Sequence, residues 1–517
     1  MGQRLKSYVG GRWLEGGGAT TPLFNPTTEE VLAEAGTGGV DFQGALEYAR
    51  GRGNPAMRSL TFAQRGELIG KVANALHARR EELIEISVAS GGNTRGDAKF
   101  DIDGAIGTLA HYAEVGKKLG DRRTLIDGAQ EPLGRNPRFA GQHLLTPFSG
   151  AAVHINAFNF PAWGFGEKAA VAWLAGMPVV TKPATSTALV AHRVAQIVVE
   201  STALPEGAFT FLCGGIGDLL RHLTCQDVVA FTGSSQTARS LRVHETLARH
   251  AVRFNVEADS LNAAVLGPDV DRDSKTYDMF LLEVTREMTQ KAGQKCTAVR
   301  RIFAPEAAVG RVKEDLIAQI KAVRVGNPAT KEVRMGPLAT KQQLADVRAG
   351  VERLKRAAEA TLGDGGRGAT LVDVPDGKGY FMAPVLFFSS NAAAPEVHDQ
   401  EVFGPVQTLM PYSGRAEEAA RWVNLGGGSL VASVYTDDKD FAQELVARIA
   451  PFHGRVYLGC DKIADATLGS GAVMPQMLHG GPGRAGGGQE LGGLRGLEFY
   501  LQRTAVQGLK PLLEKIL

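Results

Sequence analysis

Of the four cysteines, Cys213, Cys225, Cys296 and Cys460, one stands where chemistry is at home. Cys296 lies in QKAGQKCTAVRR, behind a break at Gly293 and between Lys295 and Thr297. Two readings are open for it: a small apolar filler, or an accessible thiol whose electropositive flanks favour a thiolate. Cys213 and Cys225 lie within apolar segments and suit the filler reading, and Cys460 follows a strand into a loop. Glu257, in VRFNVEADSLNAAVL, sits between two apolar strand-like runs, where a charge is costly. It is either a solvated strand-end glutamate or a base with a raised pKa that activates water or the thiol. Asn159, in NAFNFPAWGFG, precedes a Pro-opened helix. An amide there either caps the turn or donates to an oxyanion beside backbone N–H groups.

Other polar residues fall at the ends of apolar runs. Lys182 in VVTKPATSTA is a surface lysine, or a cation that reaches a phosphate or a sugar hydroxyl. Thr232, Gly233 and Ser234 mark a strand-to-helix joint, where free N–H groups suit a pyrophosphate. No GxGxxG fingerprint accompanies them. Glu401, before VFGPV, caps a turn or accepts from a sugar hydroxyl. No paired spacing of cysteines suggests a metal.

The elements that must hold these residues are legible in the hydrophobic pattern. Residues 1–40 read as short strands around Asn-Pro and Gly-Gly turns, and 41–121 as helices. From 148 to 257 apolar strands alternate with helices, including a helix over IGDLLRHL, and the alternation resumes from 258 to 450. There ATKQQLADVRAGVERLKRAAEATLG reads as one helix. Such alternation predicts mostly parallel sheets with crossover helices, and ligands at the carboxyl ends of the strands. Residues 122–147 are strand-like, and the glycine-rich end has little helix until its last turns. These two stretches either form a small third unit together or pack on a neighbouring subunit, with the balance toward the second.

Composition narrows the class. Lys plus Arg is 57 and Asp plus Glu is 55, a net charge of +2 with no basic cluster, which argues against a nucleic-acid partner. Glycine numbers 64 of 517 residues without a three-residue period, so collagen is excluded and tight turns are expected. There is no apolar run of membrane-spanning length and no signal-peptide core, and Gly2 lacks the myristoylation spacing. The cysteine usage suits a reducing compartment, and the expected location is the cytoplasm.

Taken in order, NAFNFPAWG, VVTKPATSTALVA, VVAFTGSSQTARS, NVEADSLNAAVL, GQKCTAVRRIF, MGPLAT, EVFGPVQTLMPY and GPGRAGGGQELGGLRGLEFYLQR resemble the aldehyde dehydrogenase superfamily over essentially the whole chain. EADSLNAAVL and HGGPGRAGGGQELGG are most similar to the aldehyde dehydrogenases of CoA-dependent aromatic degradation, on the benzoate and the phenylacetate routes. The hydratase domain of the bifunctional phenylacetate members is not expected here.

The resemblance implies an α/β fold with a Rossmann-like cofactor domain (1–123 and 148–257), a catalytic domain (258–475) and a bridging or oligomerisation element (124–147 and 476–517). It implies Cys296 as nucleophile, Glu257 as general base and Asn159 as oxyanion amide. Lys182 and Thr185 would face the adenosine ribose, and Thr232, Gly233 and Ser234 the pyrophosphate. Glu401, with Phe403 beside it, would face the nicotinamide ribose. The activity implied is oxidation of a ring-derived acyl-CoA semialdehyde to the acid in a homodimer or dimer of dimers. A general aldehyde dehydrogenase, a CoA-acylating enzyme and a non-catalytic binding protein of this fold are the alternatives. Glu257 counts against CoA acylation, because water needs activation and an incoming thiol largely does not.

Three departures from the family pattern stand out. Ala238 closes the usual FTGSxxxG, EADSLN replaces ELGGK, and Thr185 replaces the acid of KPAE. A neutral hydroxyl beside Lys182, with Arg239 as a second cation, leads to the expectation that NADP is preferred to NAD.

Overall fold

The computed structural model describes residues 3–368 and 370–517; Met1, Gly2 and Ala369, and with them the reading of Gly2, lie outside the described residues. Two seven-stranded sheets dominate. The first runs, in spatial order, Arg253–Glu257, Val228–Thr232, Ala152–Ile155, Val179–Lys182, Phe209–Phe211, Lys6–Val9 and Arg12–Glu15. Its first five strands are parallel, and the N-terminal hairpin adds antiparallel at the far edge. The second runs Glu359–Leu362, Val385–Phe388, Val406–Tyr412, Arg301–Pro305, Ala263–Leu266, Ser429–Tyr435 and His453–Gly459, parallel except for its first strand. Central strands such as Ala152–Ile155 and Ser429–Tyr435 are buried throughout, as expected when helices cover both faces of a parallel sheet.

A third sheet joins distant parts of the chain. Leu125–Pro132, Phe139–Pro147 and Leu501–Leu509 form an antiparallel trio, with Leu501 opposite Pro147 and Leu509 opposite Phe139. The 122–147 stretch and the tail thus form one structure. The strand Leu501–Leu509, followed by the helix Lys510–Ile516, was not readable as a strand from its glycine-rich approach.

The helix Trp163–Ala175 is the hub of the first half. All its residues but Gly164 are buried, including Glu167 and Lys168. A helix apolar on every side belongs in a core. The long helix Arg95–Leu119 packs beside it and starts with a Thr94–Asp97 capping box.

Two expected helices are not formed as read. IGDLLRHL holds only a 3₁₀ turn at Leu219–His222, entered through Gly217 at φ 53°. The helix from Lys341 stops at Leu354, and Glu359–Leu362 becomes an edge strand whose Thr361 hydroxyl donates to the Leu386 carbonyl at 2.9 Å. Alanine-rich propensity yields there to a vacant sheet edge. No helix among the described residues is long and apolar enough to cross a membrane.

Candidate active site

Glu257 ends its strand opposite Thr232, so the parallel register itself brings the proposed base to the strand-to-helix joint. Cys296 follows a strained turn: Lys291, Ala292 and Gly293 have φ of 53°, 52° and 71°. The buried Lys291 ammonium holds that turn by donating to Asn93 at 2.9 Å, and it lies over the Phe160 ring. Asn262, part of the departure EADSLN, donates through its amide to the Cys296 carbonyl at 2.7 Å and the Ala298 carbonyl at 2.9 Å. The departure therefore supplies a clamp on the cysteine backbone. Asn159 donates to the Gln294 carbonyl at 3.1 Å, which leaves its second N–H free of that bond.

Cys296, Glu257, Asn159 and Thr232 line one chamber of about 40 Å³, together with Glu167, Thr297 and His479. The chamber shares Phe100, Trp163, Gly471 and Val473 with an outer cleft of about 610 Å³. Four of the sequence-derived residues are thus together.

His479 was not singled out in the sequence. Its Nε2 lies 3.1 Å from Glu257 Oε2 and 3.9 Å from Cys296 Sγ. A lone histidine in LHGGPG carries no periodic signal. The short strand Leu478–Gly480, paired with Gln489–Leu491, brings it in. Gly480 allows this at φ 134°, where a Cβ would stand 2.1 Å from the Gly488 carbonyl oxygen. The tail then runs along the Glu257 strand, with the Gly488 N–H donating to Val256 and the Ala258 N–H to Ala485, both at 3.0 Å.

Charge in the chamber differs from expectation. Burial works against the Glu257 carboxylate, but the facing His479, with Lys168 behind, lowers its pKa to about 2. A raised value was expected. Burial likewise opposes the His479 cation, yet Glu257 raises its pKa. The Cys296 thiol is pushed well above its usual pKa by burial and by Glu257. Its setting is therefore half-buried and beside an anion, not electropositive. Lys295 turns away, donating to Glu287 and Gln290 at 2.7 Å each. Cys225, read as filler, is exposed; Cys213 is buried and pushed up to about 12 by burial.

Behind Glu257, Lys168 donates to Glu167 at 3.1 Å and Glu490 at 3.2 Å. Carboxylate oxygens of Glu167, Glu257 and Glu490 all lie within 4.8 Å of one another. Glu490 is raised to about 7 by burial, against the pull of Lys168.

The residues expected to hold the cofactor take these positions. The Thr232 hydroxyl is buried without a partner and faces the chamber. Ser234 caps the helix Ser235–Arg242, accepting from the Thr237 N–H, and the Gly233 N–H donates to the Glu257 carbonyl at 3.1 Å. The first helical N–H, of Ser235, donates to Asp259 at 2.9 Å, so it is already spent on a carboxylate. Glu401 accepts from Arg300 at 2.9 Å and from the Ser260 N–H at 3.0 Å, and burial raises it to about 7. Phe403 stands edge-on to Phe158 at 5.8 Å, with the Arg300 guanidinium over its ring.

The sequence matches the aldehyde dehydrogenase family over residues 13–506. It is 46% identical, over 93% of each chain, to the 3,4-dehydroadipyl-CoA semialdehyde dehydrogenase of Aromatoleum evansii. The phenylacetate side of the expected resemblance finds no support in these comparisons. Among solved structures, an aldehyde dehydrogenase from Bacillus cereus in complex with NAD+ superposes with a TM-score of 0.84 at 25% identity, covering 98% of this chain and 97% of that one. Apo betaine aldehyde dehydrogenase of Staphylococcus aureus gives 0.85 at 23% identity, covering 98% and 95%.

The expected preference for NADP is overturned. The Bacillus cereus structure holds NAD+, as do betaine aldehyde dehydrogenase complexes of the same fold. The donors counted on for a 2′-phosphate are turned onto the backbone. Thr185 Oγ1 donates to the Gly214 carbonyl at 3.3 Å and Lys182 Nζ to the Pro183 carbonyl at 2.8 Å, while Arg239 is exposed on its helix.

Proposed function

The chain belongs to the aldehyde dehydrogenase family, and from that premise we propose that it oxidises an acyl-CoA semialdehyde to the carboxylic acid with NAD, through a thiohemiacetal and a thioester on Cys296. The observation that carries this reading is the convergence of Cys296, Glu257 and Asn159 on one small chamber behind a much larger cleft. At about 40 Å³ against about 610 Å³ for the cleft, the chamber suits only the reacting end of a substrate. The body of the substrate then lies outside.

Glu257 accepts the thiol proton as Cys296 sulfur bonds to the aldehyde carbon and the carbonyl π pair moves to oxygen. The free N–H of Asn159 and the Cys296 backbone N–H hold that oxygen. When bound, the nicotinamide supplies the acceptor for the electron pair that leaves the aldehyde carbon. Lys182, Thr185, Thr232, Gly233, Ser234, Glu401 and Phe403 are the residues we assign to holding the cofactor, and the unpartnered Thr232 hydroxyl fits a polar ligand there. Once that first proton has passed on from Glu257, the carboxylate takes a proton from water, whose oxygen adds to the thioester carbon. The C–S bond breaks, the acid leaves and Cys296 regains its proton. Glu490, with a pKa of about 7, is placed to exchange the proton onward past Lys168.

The CoA part of the reading is supported by the relative from Aromatoleum evansii. A general aldehyde dehydrogenase is the second reading, favoured by the cleft walls of Phe100, Trp163, Leu468, Val473 and Met474, which suit any extended apolar aldehyde. Specificity constants decide between them. A higher kcat/KM for 3,4-dehydroadipyl-CoA semialdehyde than for free aliphatic aldehydes is expected, and equal or better use of the free aldehydes removes CoA.

We assign 1–123 and 148–257 to cofactor binding and 258–475 to the catalytic cysteine. Residues 124–147 and 476–517 bridge two copies, with 478–491 serving the chamber as well. Exposed Ile126, Leu133, Phe139, Leu509, Leu512 and Ile516 on the third sheet and its terminal helix support a homodimer. The four free cysteines accord with a cytoplasmic location.

A further inference from the structure

We propose that His479 is a positioning residue of this reaction: set between Glu257 and Cys296, its imidazolium keeps the Glu257 carboxylate ionised and aimed into the chamber. The inference rests on the reading of Glu257 as the base. Three buried carboxylates, Glu167, Glu257 and Glu490, crowd within 4.8 Å, and Lys168 is bonded to two of them, Glu167 and Glu490. Glu257 is the third, and its ion pair is with His479 at 3.1 Å. Both side chains are about 4% exposed or less, so water does not replace the partner.

The groups facing His479 from every side are few. Glu257 comes from one strand, Glu490 from the paired strand opposite, and Glu167 and Lys168 from the central helix. Cys296 stands 3.9 Å away. Arg455 is also near, but it donates to the carbonyls of Ser470 and Ala472. Without the imidazolium, one lysine would serve three carboxylates, and burial would drive a proton onto Glu257. A protonated Glu257 cannot take a proton from water.

The sign follows. His479 holds Glu257 ionised toward low pH, so its loss moves the protonation of Glu257 upward and the acid limb of deacylation with it. The full-length protein is compared with His479→Phe, which removes donor and charge, and His479→Gln, which keeps a donor without charge. Infrared difference spectra over pH, without substrate, read the carbonyl band of protonated carboxyl groups. Turnover with the semialdehyde and NAD reads the burst and the steady state.

At neutral pH both variants are expected to gain a protonated-carboxyl band, the Phe variant more. The band disappears again in His479→Phe combined with Glu257→Gln. The burst of reduced nicotinamide slows but keeps its amplitude, and the acid limb of the steady state rises by about one pH unit or more in the Phe variant, less in the Gln variant. Spectra like those of the unmodified protein in both variants, or an unmoved acid limb, overturn the inference. A missing burst in the unmodified protein overturns the oxidation reading instead, and the infrared bands still decide the role of His479.

Discussion

Burial and the Glu257 carboxylate hold the Cys296 thiol well above its usual pKa, so its proton must pass to Glu257 as sulfur attacks a carbonyl. Cys296→Ala is expected to abolish the reduced-nicotinamide absorbance while NAD still binds, as calorimetry would show. Cys213→Ala, at a wholly enclosed thiol, should keep turnover. Glu257→Gln should slow acylation, and slow the steady state by about 10²–10⁴-fold, the usual worth of a general base, leaving an acyl adduct on Cys296 visible in the intact mass. No adduct and an unchanged rate would remove the base role. The flanks of Cys296, Glu257 and Asn159 left two readings open for each, and it was the family resemblance of their motifs that grouped the three. The charge state of Glu257 was not readable, because its partner His479 is 222 positions away and joins it only through the tail. Lys295, adjacent in sequence, misled by turning to Glu287.

At the scale of elements, parallel strands deliver polar ends to one edge, and the βα alternation showed this in advance. The tail did not show it. HGGPGRAGGG reads as loop composition, yet its glycines let backbone lie directly on backbone beside the Glu257 strand. At Gly486 a Cβ would stand 2.5 Å from the Val256 carbonyl oxygen. Gly480→Ala is therefore expected to cost about 1–3 kcal/mol from its φ alone, seen as a lower Tm, with kcat falling further as His479 is displaced. Gly10→Ala is the control: its φ is +58° and nothing lies within 4 Å, so it should touch stability only. The run of alanines before Glu359–Leu362 was misread for the opposite reason: local propensity is a weak signal where a sheet edge needs a partner.

At the scale of the whole molecule, the two large sheets were foreseeable as a class and the 124–147 stretch was grouped with the tail, but the strand pairing of Phe139–Pro147 with Leu501–Leu509 was not, since no periodicity relates strands so far apart. The apolar side chains left on that sheet lead to one more expectation. Phe139→Glu with Leu512→Glu should lower the mass measured by light scattering toward one chain of 54.8 kDa without loss of secondary structure. An unchanged mass would place the contact between copies elsewhere. The same pairing has a consequence for biosynthesis. A ribosome adding about 5–20 residues per second leaves the strand Phe139–Pro147 with an open edge for roughly 20–70 s before Leu501–Leu509 emerges to close it. Through that interval the nascent chain carries an unpaired, partly apolar edge, the kind that recruits like edges from neighbouring chains. Slowed translation or a stop codon ahead of Leu501 should therefore send product to inclusion bodies even though both large sheets are fully encoded.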